Sequence, residues 1–368
     1  MEVRKKLGFG LMRLPRTGGK IDIEKSKVLA DMFLSNGYTY FDTAYAYAGS
    51  EEAFREFVAE RYPRDSYTVA SKMAGWSLRD DFGPADMFNT SLQRAGLKYF
   101  DYYLLHSLQP SRVGFYDKYN CWEFCKQMKA EGKIRNLGFS YHGAPDLLEE
   151  LLKTHPEVDF VQLQINYIDW DNEVIWSGEN YRICEKYGKD VTVMEPIKGG
   201  MLANIAPEYA EIYKKIDPED TPAAIALRFV GSLPNVRVVL SGMNEPEQMI
   251  ENMKVFDNFK PLTDEERAAV KEVTEKILSV PTIPCTACRY CTKGCPMGIN
   301  IPEIFKAYNM YLTFGDHNRP HLYYDGLLAT TSNKASACIQ CGQCETACPQ
   351  HIEIIDKLKD CSAYLDKE

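Results

Sequence analysis

Eight cysteines stand in two runs, CTACRYCTKGCP (285–296) and CIQCGQCETACP (338–349), each spaced C-x2-C-x2-C-x3-C-P. Three thiolates at three-residue intervals can wrap three corners of a polynuclear metal centre. A tetrahedral zinc site is complete with two C-x-x-C pairs and has no use for a third cysteine at the same interval. The pattern is the one that binds iron–sulfur clusters, and it implies two [4Fe–4S] clusters. The ligand set is Cys285, Cys288, Cys291, Cys295, Cys338, Cys341, Cys344 and Cys348. Cys121, Cys125, Cys184 and Cys361 are scattered and read as core or helix-face residues. His317 and His321, four apart between the runs, read as packed or solvated rather than as ligands.

A second constellation carries different chemistry. Asp42 and Tyr47 lie in YFDTAYAYAGSEE (40–52), Lys72 closes YTVASK (67–72) and His106 closes DYYLLH (101–106). Singly, each has a bland reading: a packed tyrosine, a solvated lysine, a satisfied core histidine. On successive strand ends they can converge, and together they suit carbonyl reduction. Hydride delivery to carbon leaves an alkoxide that needs a proton, and a phenol of pKa about 10 is a poor acid near neutrality. A lysine ammonium beside it favours the phenolate, a carboxylate can hold the lysine, and a histidine can hydrogen-bond the carbonyl oxygen.

The elements that must position these residues repeat along the chain. Candidate strands are 5–10, 38–42, 67–72, 101–106, 135–140, 159–164, 190–195 and 236–242, separated by helical segments such as GSEEAFREFVAERY, DMFNTSLQRAG and TPAAIALRFVGS. Such alternation predicts an α/β fold of parallel βα units, and eight units can close into a (β/α)8 TIM barrel. A doubly wound open sheet is the alternative. Asp42, Lys72, His106, Ser140, Gln162 and Glu195 lie at or near the C-terminal ends of six strands, where barrel active sites sit. Gly8 and Gly10 begin a G-x-G, but Arg13 stands where a dinucleotide fingerprint needs its third glycine. Two prolines in SVPTIPC (279–285) set the boundary, giving a barrel over 1–278 and a small ferredoxin-like bis-[4Fe–4S] domain over 279–368. Between the cysteine runs PEIFKAYNMYLTFGD reads as a helical insertion, and the tail from His351 is expected to cover a cluster.

The net charge of −9 argues against broad nucleic-acid or membrane affinity, and no apolar run approaches the length of a transmembrane helix. The N-terminal MEVRKKLGFGLMRLP has no apolar core of a secretory signal, so a cytoplasmic location is expected.

Residues 1 to 278 resemble the aldo-keto reductase superfamily in FDTAYAYAGSE, VASK, SLQRAGLKYFDYYLLH, KAEGKIRNLGFS and DFVQLQINY, taken in that order. The resemblance implies a catalytic tetrad of Asp42, Tyr47, Lys72 and His106, with Tyr47 the proton donor. It implies that Ser140 and Gln162 hold the nicotinamide carboxamide. It extends the cofactor contacts to Gly10, Leu11, Met12, Met194, Glu195, Ser241, Gln248, Glu251 and Asn252, the last two on the adenine side. Met194 stands where the family stacks an aromatic residue on the nicotinamide. Gly242 and Gln248 stand where basic residues often clamp a 2′-phosphate, so either NADP(H) or NAD(H) is expected, with Arg13 or Lys198 as a substitute cation. With its cysteine runs the whole chain is similar to aldo-keto reductases of bacteria and archaea that end in a ferredoxin-type domain. By the ferredoxin resemblance the fourth cysteine of each run crosses over: Cys285, Cys288, Cys291 and Cys348 hold one cluster, and Cys338, Cys341, Cys344 and Cys295 the other.

A nicotinamide passes two electrons as hydride, whereas each cluster passes one. Three arrangements satisfy this: structural or regulatory clusters beside a conventional nicotinamide-dependent reductase, a flavin in the barrel that handles both one- and two-electron steps, and an electron carrier whose barrel has lost its original reaction. The expected function is a carbonyl-reducing or alcohol-oxidising enzyme whose two clusters can transfer electrons. The alternatives are a reductase linked to ferredoxin through a flavin bound in the barrel, and a redox-sensing binding subunit with an inactive barrel. A ferredoxin or flavodoxin is the expected electron partner. Tyr45, Tyr47 and Trp76 would line an aromatic pocket favouring an apolar or aromatic carbonyl, and no basic cluster marks a site for phosphorylated sugars.

Overall fold

The computed structural model describes residues 5–315 and 318–366; His317 and the first residues of the amino-terminal segment, weighed above, lie outside them. The strands are β1 (Leu7–Gly10), β2 (Arg16–Thr17), β3 (Lys20–Ile21), β4 (Tyr40–Asp42), β5 (Thr68–Met73), β6 (Phe100–Leu108), β7 (Ile134–Tyr141), β8 (Phe160–Gln164), β9 (Asp190–Met194) and β10 (Val236–Ser241). All eight expected strands are present. The unforeseen pair, β2 and β3, forms a small antiparallel hairpin.

The eight longer strands run parallel and close on themselves in the order β1, β4, β5, β6, β7, β8, β9, β10. Closure is direct, because β1 pairs with β4 on one side and β10 on the other, so the sheet is a TIM-type barrel and not an open one. The two-residue alternation of strands then sorts side chains between inside and outside. Tyr40, Ala70, Tyr102, Leu104, Phe160, Val238 and Leu240 form the interior cluster. Asp42, Lys72, His106 and Gln162 follow two residues beyond Tyr40, Ala70, Leu104 and Phe160, and so share their inward phase at the C-terminal end. Gly8 has a packing role there: a Cβ on it would meet Leu240 and Val238 side-chain carbons at 2.8 Å. A glycine that fits the barrel interior explains the partial G-x-G better than a dinucleotide turn does.

The chain divides into two compact units. One comprises residues up to Lys198 with Ala223–Arg267; the other comprises Gly199–Pro222 with the chain from Ala268 onward. Within the second, helices Ile301–Phe314, Asn318–Leu328 and Ile354–Leu365 surround a core that includes Ile299, Ile304, Phe305, Tyr324 and Leu358. Each such side chain contributes about 1.5–3 kcal/mol on burial. No helix among the described residues is long and apolar enough to cross a membrane.

Candidate active site and cysteine cavities

The barrel register places the candidate residues. Asp42 ends β4 level with Gly10 of β1, and Ser140 of β7 lies level with Gln162 of β8. Lys72 is fully buried, and its Nζ donates to Asp42 Oδ1 at 2.5 Å and to the Thr43 carbonyl at 2.8 Å. Gln162 Nε2 donates to Asp42 Oδ2 at 3.3 Å. The Lys72 ammonium sits 4.9 Å from the centre of the Tyr47 ring, and the His106 ring lies edge-on to Tyr47 at 5.6 Å. Asp42, Tyr47, Lys72 and His106 are thus brought together.

Their electrostatics follow from burial and from one another. Burial works against the Lys72 charge, but Asp42 and Tyr47 outweigh it and hold the lysine above its ordinary range. Burial pushes the Tyr47 phenol up as well, with Lys72 pulling it down. The expectation that Lys72 would leave Tyr47 more acidic than a free tyrosine is therefore corrected for the resting protein. Desolvation outweighs the ammonium's effect, and Tyr47 rests as a protonated phenol. Burial, then the charge of Lys72, holds the His106 imidazole well below the histidine range. Neutral His106 retains one N–H to donate, and no partner for its Nδ1 is found among the described residues. The His106-dependent part of a reductase pH–rate profile should accordingly stay flat through pH 6.5, checked as kcat/KM against pH. Removing one member of a buried ion pair leaves the other uncompensated. Lys72→Met should cost about 3–5 kcal/mol of stability, measured by denaturant unfolding of the anaerobic protein.

Residues at and beyond the strand ends lock the site, and Tyr116, Ser107, Asn166 and Asp169 among them were not singled out in the sequence. The buried Tyr116 hydroxyl donates to the His106 carbonyl at 2.5 Å, lies 3.1 Å from the Met73 carbonyl, and accepts the Gly75 N–H at 3.1 Å. It ties together the loops after β5 and β6. Ser107 takes a left-handed backbone (φ 58°) and donates its N–H to Ser140 Oγ at 2.6 Å. Glu195 is also left-handed (φ 56°), and its carboxylate accepts from Arg13 at 3.0 Å. Such non-glycine strain collects where a site needs an unusual loop path. Buried Asn166 bridges the Glu195 carbonyl and Asp169, and Asp169 holds Lys198 at 2.5 Å. Both candidate substitute cations, Arg13 and Lys198, are therefore committed to carboxylates. Asn166 lay inside the quoted DFVQLQINY without standing out, and nothing in the sequence pointed to Tyr116.

The remaining candidates spread around the barrel rim. Gly10 ends β1; Leu11 is buried and Met12 exposed in the short turn that follows. Met194 ends β9. Ser241 ends β10 and its Oγ accepts from Asn252 Nδ2 at 2.9 Å, while the Gln248 side chain caps the Asn244 N–H at 2.9 Å. Glu251 lies one residue before Asn252 on the helix Pro246–Asp257. Of the three aromatic residues expected in one pocket, Trp76 and Tyr47 both contact the His106 ring. Tyr45 instead packs near Phe82 and under the Arg94 guanidinium.

The second unit holds a duplicated framework. Each cysteine run presents, in order, a half-buried, an exposed, a buried and a half-buried thiol. Ala287 and Arg289 of the first run are left-handed, as are Gln340 and Gly342 at the corresponding places of the second. Gly298 and His351, three residues beyond the fourth cysteine of each run, match likewise. Short helices Tyr290–Lys293 and Gln343–Thr346 carry the third cysteines. The sulfurs group crosswise. Cys285, Cys288, Cys291 and Cys348 line one cavity with Ile301, Phe305 and Ile354. Cys295, Cys338, Cys341 and Cys344 line another with Ile299, Ile355 and Leu358. Among the described residues no three metal-binding side chains converge as a single ion would require. Burial raises the Cys285 and Cys344 thiols and pushes Cys291 up to about 11, so a metal's positive charge would be needed to hold them as thiolates. Tail residues Ile352 and Ile354 cover the first cavity, and Ile355 and Leu358 the second. The four scattered cysteines are all buried. His321 packs 4.8 Å from the Tyr364 ring.

Comparison with known proteins agrees with this architecture. Residues 6–275 match the Aldo/keto reductase family, and residues 284–353 match a 4Fe-4S dicluster domain. An aldo-keto reductase of Mycolicibacterium smegmatis is 27% identical over 68% of this chain and 83% of its own. The methylglyoxal reductase of Yersinia pestis is 26% identical over 68% of this chain and 84% of its own. Among solved structures, a Klebsiella pneumoniae aldo-keto reductase in complex with NADPH shares the fold with a TM-score of 0.60 at 20% identity, over 74% of this chain and 96% of its own. The holo form of a Bacillus halodurans aldo-keto reductase gives 0.57 at 23%, over 73% of this chain and 91% of its own. The chain belongs to the aldo/keto reductase family and carries a C-terminal 4Fe-4S dicluster domain.

Proposed function

We propose that the protein is an NADP(H)- or NAD(H)-dependent carbonyl reductase, able to run in reverse as an alcohol dehydrogenase, with two [4Fe–4S] clusters competent for electron transfer. The observation that carries this reading is the buried Lys72–Asp42 pair set beside Tyr47 and His106. An ion pair so deeply desolvated is costly to keep as mere structure. The nicotinamide end of a cofactor fits the rim: Ser140 and Gln162 are buried side by side next to the pair, with Met194 and Glu195 beyond them. We assign Gly10, Leu11, Met12, Ser241, Gln248, Glu251 and Asn252 to the rest of the cofactor path. The structure of an NADPH-bound family member with the same fold supports NADP(H), although the 2′-phosphate would meet neither Arg13 nor Lys198 as a free cation.

When bound, the reduced nicotinamide supplies the hydride. The chain's own groups do the remainder. His106 donates its N–H to the carbonyl oxygen and orients it, while Tyr47 gives that oxygen its proton. Lys72, kept charged by Asp42, stabilises the phenolate that Tyr47 becomes.

We place the domain boundary near residue 279 and assign Cys285, Cys288, Cys291 and Cys348 to one cluster and Cys295, Cys338, Cys341 and Cys344 to the other. The two four-cysteine cavities with apolar walls support that grouping of the cysteines. One-electron exchange with a ferredoxin or flavodoxin suits the clusters, and a location in the cytoplasm suits their thiolates. The reading is tested by anaerobic assay of NADPH oxidation with an aldehyde. Reduction that depends on Tyr47 supports it; full turnover by Tyr47→Phe removes its basis.

A further inference from the structure

The loops after β4, β5 and β6 carry a row of groups that leads away from Lys72. The Tyr47 ring meets His106 at 5.6 Å, His106 meets Trp76 at 5.3 Å, and the Arg112 guanidinium lies 4.0 Å above the Trp76 ring. The cofactor candidates Ser140, Gln162, Met194 and Ser241 belong to β7, β8, β9 and β10, the other arc of the barrel. The row therefore lies on the arc left for substrate.

Arg112 is the charged member of that row, and its charge is not spent. Lys72 is balanced by Asp42, Arg13 by Glu195 and Lys198 by Asp169. On the loop after β5, Asp80 takes Lys118 and Asp81 takes Arg79. Among the described residues no carboxylate pairs with Arg112; its guanidinium lies over the indole face, and its charge also reaches His106 and His142. Stacking on Trp76 holds the guanidinium plane in one orientation, so less freedom is lost when a carboxylate meets it. Trp76 is itself set by the Gly75–Tyr116–His106 hydrogen bonds that fix the neighbouring loop. A single unpaired cation suits a monoanion.

We propose that the carbonyl substrate carries a carboxylate, which Arg112 reads from across the Trp76 ring. This refines the earlier expectation of a merely apolar or aromatic carbonyl, and it rests on the reading of Tyr47 and His106 as the carbonyl site. Arg112 selects the substrate and takes no part in the proton transfer.

The test uses the full chain, loaded with its clusters and assayed anaerobically with NADPH on 4-carboxybenzaldehyde and on methyl 4-formylbenzoate. The wild type should favour the acid in kcat/KM. A charge-assisted pair of this kind corresponds to about a 10- to 100-fold effect. Arg112→Leu should lower the acid-to-ester ratio by that factor, with part of it recovered in Arg112→Lys. Binding of radiolabelled benzoate by equilibrium dialysis should weaken in parallel. A wild type without preference for the acid, or a ratio that Arg112→Leu leaves where it was, overturns the proposal. If the wild type reduces neither aldehyde, the carbonyl-reductase reading fails on its own, and benzoate binding then decides the role of Arg112. Affinity lost in Arg112→Leu supports an anion site; affinity retained overturns it.

Discussion

Tyr47→Phe should lower carbonyl reduction by about 100- to 10,000-fold, the usual worth of a positioned general acid, and should leave the visible spectrum of the proposed clusters unchanged. The size of the effect follows from the absence of a ready substitute among the site's proton carriers. His106 is held neutral by burial and by the Lys72 charge, and in the proposed mechanism its N–H is spent on the carbonyl oxygen. Lys72 is held protonated by Asp42 and Tyr47, which outweigh the burial that works against its charge. Phenylalanine keeps the edge-on packing against His106 and the ring beneath the ammonium, so the change removes one oxygen and little else. The variant should fold, bind NADPH and retain its iron. Steady-state rates together with anaerobic absorbance make the comparison, and near-native turnover would take the role from Tyr47.

The second large effect concerns which cysteines share a cluster. If the cavities report the ligand sets, Cys285→Ala with Cys348→Ala damages one cluster twice, whereas Cys285→Ala with Cys295→Ala damages both. The first double variant should keep about four of about eight irons per chain, and the second should keep few. Local ligation, each run holding its own cluster, predicts the reverse order. Iron analysis and EPR of dithionite-reduced protein separate the two. The structural reason for crosswise sharing lies in the short helices Tyr290–Lys293 and Gln343–Thr346. Each carries the third cysteine of its run, and the chain beyond places the fourth against the opposite cavity.

Much of this was legible in the chain because both constellations are local in sequence or periodic. The cysteine spacing is a local property. Asp42, Lys72 and His106 announced themselves as polar residues ending apolar strands, at positions in phase with the barrel interior. Less was legible wherever a partner lies across a loop. Arg13 meets Glu195 over a separation of 182 residues, so its charge looked available when it is not. Tyr116 bonds to loops 41 and 10 residues away, and one tyrosine among 23 gives no hint of that. Tyr45 shares a short segment with Tyr47 yet packs near Phe82, because the loop geometry sends the two rings apart. The β2–β3 hairpin had only a Gly18–Gly19 turn to mark it, both residues left-handed, between strands too short for any alternation. Gly199–Pro222 groups with the second compact unit through tertiary contacts that leave no local signature.

The central claim is that a two-electron reductase site and a pair of one-electron clusters occupy one chain, with no direct route from hydride to cluster. Anaerobic titration with NADPH, followed by absorbance and EPR in flavin-free protein, tests it most directly. The account predicts that NADPH leaves both clusters oxidised, that adding an aldehyde consumes the NADPH, and that dithionite then reduces the clusters. Clusters reduced by NADPH alone, or NADPH left untouched by every aldehyde offered, would contradict it.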